Sequence, residues 1–187
     1  MTFTPLKIEG VWLHTPTVWP DDRGTFHEVF KLSTISKQLG RDFQVKQVNQ
    51  STSVAGAIRG IHWTDGPEGQ AKYVSCPKGT LWDVVVDFRK GSPTFGEWDA
   101  RILSAENKCS LLISEGIGHA FMALENGTVS SYLCSSEYQP VFDKTVNSLD
   151  PAIDIHFKKM ATEFGISEFV LSDKDKTAPN FTESMLR

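Results

Sequence analysis

The sequence predicts an all-β fold, a double-sheet barrel with a few short peripheral helices. Three observations carry this: many short runs of period-two alternation, turns rich in glycine and proline between them, and few helical signals. With 187 residues and 40% hydrophobic content, the chain is expected to form one domain over residues 1–187, with a sizeable core. A formal net charge of −4 provides no basic face for nucleic acid. An anionic small molecule remains compatible, provided a few cations gather locally. Three cysteines, Cys76, Cys109 and Cys134, lack CxxC spacing and are odd in number, which points away from a disulfide framework or a zinc site. Free thiols, with no signal-like start and no apolar run of membrane-spanning length, lead to the expectation of a cytoplasmic protein without membrane contact.

The elements follow in order. Leu6 to His14 and Gly24 to Phe30 read as strands, joined by a connection ending in the turn-rich Pro20-Asp-Asp-Arg-Gly24. Alternation puts Phe26, Glu28 and Phe30 on one face, either a rim strand with an exposed carboxylate or part of a ligand face. Ser33 to Leu39 is the one helix expected in the first half, with Ser33 or Thr34 at its start and Gly40 at its end. Phe43 to Ser51 alternates again, placing Gln47 and Asn49 beside Val45, on a wet face or against a polar ligand. Thr80 to Arg89 is the most regular strand: Trp82, Val84, Val86 and Phe88 form one face, and Leu81, Asp83, Val85, Asp87 and Arg89 the other. Buried carboxylates need partners, and histidines or lysines of neighbouring strands are the candidates. Trp98 to Leu103, Ser110 to Ser114 and Val129 to Ser135 are further strands, the last with Ser130, Tyr132 and Cys134 on one face. Gly116 and Gly118 let the backbone turn sharply before His119. Beyond Leu149 the texture becomes charged and weakly periodic, and one or two helices are expected outside the sheets. Taken alone, Asp173 to Lys176 reads as a solvated face. This pattern of strands and turns indicates a jelly roll of the cupin kind.

The chemistry is concentrated in Ala57-Ile-Arg-Gly-Ile-His-Trp63 and Gln70-Ala-Lys-Tyr-Val74. Arg59, His62 and Lys72 occur in strand-like sequence where a simple core would carry aliphatic residues. They either face water or line one cavity, and Gly60 offers a bulge that turns Arg59 and His62 to the same side. The HxH pair expected of a metal-binding cupin is missing, because Trp63 and Thr64 follow His62; no metal is expected. Neither a nucleophile elbow nor a phosphate-binding glycine loop occurs. Acid–base chemistry without a cofactor remains, using a histidine base, a tyrosine acid and a cation to stabilise charge on oxygen.

The ordered set Asp22-Arg-Gly24, Phe26, Glu28, Gln47-Val-Asn49, Arg59-Gly-Ile-His62, Gln70-Ala-Lys72, Asp83-Val-Val-Val-Asp87, Gly91-Ser-Pro-Thr-Phe-Gly96, Glu115-Gly-Ile-Gly-His119, Tyr132 and Leu171-Ser-Asp-Lys-Asp175 resembles the dTDP-4-dehydrorhamnose 3,5-epimerase family. The resemblance runs from about residue 5 to residue 181. It implies a cupin-type homodimer that inverts C3 and C5 of a dTDP-4-keto-6-deoxysugar without a cofactor. It further implies that His62 is the base, supported by Asp175, with Lys72 near the C4 oxygen and Tyr132 as the acid. His119, buttressed by Asp83, would lie beside the sugar. Arg23, Arg59 and Lys174 would serve the pyrophosphate, and Gln47, Asn49, Phe26, Glu28, Tyr138 and Asp143 match nucleotide- and sugar-contacting positions. Asp143 stands where many members carry glutamate, Ile155-His-Phe157 replaces a Trp-Pro ending, and Trp63-Thr64 replaces an aromatic–Gln pair. The last change, beside the base, leaves open inversion at a single centre. A sugar-nucleotide-binding cupin without catalysis is the third reading.

Overall fold

The computed structural model describes residues 2–182; Met1 and residues 183–187, the ends of the expected domain, lie outside the described residues. In chain order the strands are β1 (Thr2–Pro5), β2 (Val11–Thr15), β3 (Val18–Asp21), β4 (Gly24–His27), β5 (Gln47–Ser53), β6 (Ile58–Thr64), β7 (Lys72–Lys78), β8 (Thr80–Asp87), β9 (Trp98–Ser104), β10 (Ser110–Ile113), β11 (Ile117–Ala123), β12 (Thr128–Cys134) and β13 (Asp143–Thr145). The helices are α1 (Leu32–Leu39), α2 (Phe157–Glu163) and α3 (Asp173–Lys176). Six strands form one sheet in the order β1-β2-β10-β7-β12-β5, five form a second in the order β13-β6-β11-β8-β9, and β3-β4 make a separate ribbon. The all-β double-sheet expectation therefore holds, with its helices short and peripheral. None of the described helices is long and apolar enough to cross a membrane.

Three apolar clusters explain why the strand sequences look as they do. Between the sheets lie Val11, Val74, Leu81, Val85, Leu111 and Phe121, among others. Outside the five-stranded sheet, Ile58, Ile61, Trp63, Trp82, Val84 and Val86 pack beneath α2 and the chain around it. Outside the six-stranded sheet, α1 buries Ile35 against Phe43, Tyr73 and Leu112. Both faces of β8 are therefore covered, so each of its alternating rows meets a different apolar layer. Residues 81–88 are all buried.

Several boundaries differ from expectation for identifiable reasons. Leu6 to Gly10 is a turn, closed by the Leu6 amide donating to the Val11 carbonyl at 2.9 Å, and the strand begins at Val11. The strand from Gly24 stops at His27, so Phe26, Glu28 and Phe30 do not share a strand face; Phe26 stacks on Trp19 while Phe30 packs on Phe43 and Tyr73. α1 begins after Lys31, and neither Ser33 nor Thr34 caps it, whereas Gly40 ends it at φ 72° as expected. Phe43 to Lys46 is irregular because Phe43 packs beneath α1, and the strand runs from Gln47. The short strands β3 and β13 carry too few residues for alternation to reveal them.

Candidate active site

The site is built on β6. Its register against β11 pairs His119 with His62 but Phe121 with Arg59, so β6 carries one extra residue between those pairs. Arg59 and His62, which a regular strand would turn to opposite faces, thus point the same way, while Ile58, Ile61 and Trp63 pack outward. Gly60 makes this possible. At φ 117°, any Cβ there would lie 2.5 Å from the His119 carbonyl oxygen. Gly118 on β11 makes room for the layer outside the sheet, since a Cβ would meet the Phe88 ring at 2.5 Å and Ile61 at 2.6 Å.

These side chains open into a pocket of about 190 Å³ lined by Ser51, Arg59, His62, His119, Phe121, Tyr132, Ser172, Lys174 and Asp175. The Nε2 of His62 lies 2.7 Å from Asp175 Oδ1, and the His62 side chain is 33% exposed while that of Asp175 is 4%. Burial pushes the Asp175 carboxyl up. The hydrogen bond and charge of His62, the Ser172 hydroxyl and Lys174 outweigh that, holding it below the usual carboxylate range. With Nε2 donating to an ionised carboxylate, the basic position of the imidazole is Nδ1. His119 donates through Nε2 to both oxygens of Asp83, at 3.0 and 2.9 Å, in fully buried surroundings. Desolvation raises the Asp83 carboxyl despite His119 and Lys72 beside it.

Lys72 is buried and donates to the His62 carbonyl oxygen at 3.3 Å. Desolvation lowers its pKa, opposed by Cys134, Asp143 and Asp83. Tyr132 reaches the same pocket from β12 on the opposite sheet, its ring 6.4 Å from that of His119. Burial and the neighbouring Cys134 raise its phenol, against Arg59 and a hydrogen bond with Asn49, so it stays protonated at neutral pH. Arg59 donates from Nε to Ser53 Oγ at 3.1 Å, which leaves part of its guanidinium for the pocket.

Gln47 and Asn49 lie on the half-buried face of β5, joined by a 2.8 Å hydrogen bond. Gln47 also accepts from the Tyr138 amide at 2.7 Å. At one side, Asp143 accepts from Lys174 Nζ and from the Tyr138 hydroxyl. Lys72, Gln47, Asn49, Tyr138 and Asp143 are not lining residues themselves but bond to or flank residues beside the pocket, whereas Arg23, Phe26 and Glu28 neither line it nor bond to a residue that does. Arg23 pairs with Asp21, Phe26 is 64% exposed and Glu28 lies 3.7 Å from Lys31. Asp87 also departs from expectation: its partners are Arg89, Ser92 and Thr94 of its own following turn, not a histidine or lysine. Although burial raises this carboxyl, those donors pull it down to about 2.

Sequence reasoning omitted three lining residues. Ser51 continues the alternation of Gln47 and Asn49, Phe121 sits two residues beyond His119, and Ser172 is the N-cap of α3. The same periodicities and cap signal would have identified them. A larger groove of about 350 Å³ runs past Trp63, Pro67, Phe88 and Lys90, but contains none of the acid–base residues. Among the described residues, no three His, Cys, Asp or Glu side chains converge as a ligand set.

Residues 5–183 match the family described as dTDP-4-dehydrorhamnose 3,5-epimerase. A dTDP-4-dehydrorhamnose 3,5-epimerase of Mycolicibacterium smegmatis is 42% identical, over 98% of this chain and 88% of its own. The solved structure of an epimerase from Mycobacterium tuberculosis superposes with a TM-score of 0.91 at 39% identity, covering 96% of this chain and 88% of that one. A 3'-monoepimerase from Streptomyces bikiniensis, solved in complex with dTDP-quinovose, reaches 0.87 at 44% identity, over 94% and 86% of the two chains.

Proposed function

Because this chain belongs to the dTDP-4-dehydrorhamnose 3,5-epimerase family, we propose that its inter-sheet pocket inverts C3 and C5 of dTDP-4-dehydro-6-deoxy-D-glucose by proton removal and return. It is an epimerase. The observation that carries the assignment of roles is the 2.7 Å pair of His62, on one sheet, with Asp175 of α3, facing a protonated tyrosine on the other sheet.

Both reacting carbons flank a ketone, so each C–H becomes acidic only as charge moves onto the C4 oxygen. His62 removes the proton, and ionised Asp175 fixes the tautomer and supports the imidazolium that forms. Lys72, reaching from the six-stranded sheet to the His62 carbonyl oxygen, and the His119–Asp83 pair of the five-stranded sheet flank the base. Their donors stabilise an enolate oxygen more than a neutral ketone, which is where catalytic advantage arises. Tyr132, on the facing sheet, returns a proton to the opposite side of the carbon. Arg59 and Lys174, with the amides of Gln47 and Asn49, accept the nucleotide portion.

Arg23, Phe26 and Glu28 belong to a second copy's pocket in this reading. Trp19 and Phe26 are 47% and 64% exposed on the β3-β4 ribbon, beside exposed Val18, Val29 and Leu32. An apolar ribbon of this kind is covered when two chains pair. A homodimer follows, in a cytoplasm that suits the three free cysteines. Inversion at C3 alone is the second reading, favoured by the likeness to the Streptomyces bikiniensis monoepimerase.

Proton NMR of dTDP-4-dehydro-6-deoxyglucose with the protein in deuterated water tests this. Deuterium entering at both C3 and C5, with an L-rhamnose product after a coupled reductase, supports double inversion. Label at C3 alone selects the second reading, and label at neither carbon overturns the proposal.

A further inference from the structure

α3 contains four residues, too few to be a stable helix on its own, yet it delivers the carboxylate that orients His62. What holds it is a strap anchored on either side. Upstream, Val170 makes a parallel bridge to the start of β6: the Ile58 amide donates to the Val170 carbonyl at 2.9 Å, and the Val170 amide to the Gly56 carbonyl at 3.0 Å. Ser172 then caps the turn, accepting from the Asp175 amide and donating from Oγ to Asp175 Oδ2 at 2.9 Å.

Downstream the anchor is of a different kind. The Asn147 amide donates to the Pro179 carbonyl at 2.9 Å, and the Phe181 amide donates to Asp150, which is buried. The Phe181 ring stacks on Phe88 at 5.4 Å and 27°, and lies 5.5 Å from Phe95. Phe88 in turn packs on Trp63 at 4.4 Å, and Trp63 directly follows His62 in β6. One aromatic row thus ties the strap that carries Asp175 to the strand that carries the base.

We propose that Phe181 is a positioning residue for this epimerase, acting at a distance by clamping the strap so that Asp175 stays on His62. The inference rests on the His62–Asp175 reading above. Neither Phe181 nor its ring partners line the pocket, so any effect on turnover is indirect, and exchange at the residue 172–176 amides separates a route through the strap from one through Phe88 and Trp63. A displacement near 1 Å at a reacting group costs about 10²-fold in rate, enough for a clamp to matter.

The test compares Phe181→Ala, Phe181→Leu and Asp175→Asn. The readouts are kcat, KM, the pH profile of kcat, and hydrogen exchange of the residue 172–176 amides in the folded protein. Phe181→Ala is expected to lower kcat about 10- to 100-fold. KM should move less than about threefold, the 172–176 amides should exchange faster, and the acid limb should shift in the direction seen with Asp175→Asn. Phe181→Leu, which keeps an apolar contact, should recover most of the rate. A wild-type pH profile and kcat per folded molecule in both Phe181 variants would overturn the clamp. Should Phe181→Ala not fold, the same readouts on Asn180→Ala, which removes the 2.9 Å bond to Asn147, decide the matter: parental kcat and 172–176 exchange there would overturn the clamp. Undiminished turnover in Asp175→Asn would overturn the dyad itself and the clamp with it. Loss there, with none in the Phe181 variants, removes only the clamp.

Discussion

Two histidine–carboxylate pairs stand side by side across β6 and β11, where His62 and His119 are direct register partners, and they are made in different ways. His119 and Asp83 both come from central strands, both are buried, and the carboxylate is held through both oxygens. His62 is one-third exposed, and its carboxylate arrives from a four-residue turn more than a hundred positions later. Burial raises the Asp83 carboxyl, whereas the donors around Asp175 lower that one. The contrast teaches that the same two groups can be built for different ends: the sealed pair fixes a ring in place, and the open pair, in the proposed mechanism, passes protons.

Removing one member of each pair sharpens that distinction most. His62→Ala is expected to lose turnover by about 10³-fold or more while the urea midpoint hardly moves. Asp83→Ala should cost about 3–5 kcal/mol of stability, because it removes one partner of a fully buried, doubly hydrogen-bonded pair. Similar stability losses in both variants would erase the difference between the pairs. Tyr132→Phe comes next. It removes the donor but keeps the base, so inversion should fall by about 10²-fold while label exchange at the same carbon falls less. Equal losses of exchange and inversion would count against the assigned role.

The smallest effect concerns a third histidine that belongs to neither pair. His14 is buried, its Nδ1 bonded to the Tyr73 hydroxyl, which itself donates to the Val29 carbonyl at 2.6 Å. Burial, the largest cause, with His27 nearby, lowers its pKa from 6.5 to about 4. Between those values the unfolded chain binds more protons than the folded one. The stability this neutral imidazole contributes is therefore fully present above pH 6.5 and is lost as pH falls toward 4. Urea titrations across that window should show a smaller loss in His14→Gln than in the parent, and parallel curves would contradict it.

How much of this was legible in the sequence depended on whether the signal was local. The alternation of Thr80 to Arg89, Gly40 at the end of α1, and Gly60 between Arg59 and His62 each announce geometry from within a few residues, and each matches the structure. Asp175 is different. A run reading Asp-Lys-Asp-Lys carries no sign of burial, and only the family resemblance linked it to His62, 113 positions away. The Asp87 partners were misread because a turn of Arg89, Ser92 and Thr94 satisfies it locally, where the strand pattern suggested a neighbour across the sheet. Phe26 and Glu28 failed as a face because β4 ends at His27, and nothing in alternation marks where pairing stops.

The proposed base and acid sit on different sheets, and hydrocarbon fills the space between those sheets. Val74, Leu111 and Phe121 therefore act as spacers that fix the gauge between the sheets, across which the sugar ring of the proposed substrate would present one face to each. A methylene added or removed in that filling changes the distance between the two ring faces' attendants without touching either of them. On the proposed mechanism, the handedness of the product is in this sense a property of core thickness. Substitutions there should alter the ratio of inverted to merely exchanged carbon before they alter the fold.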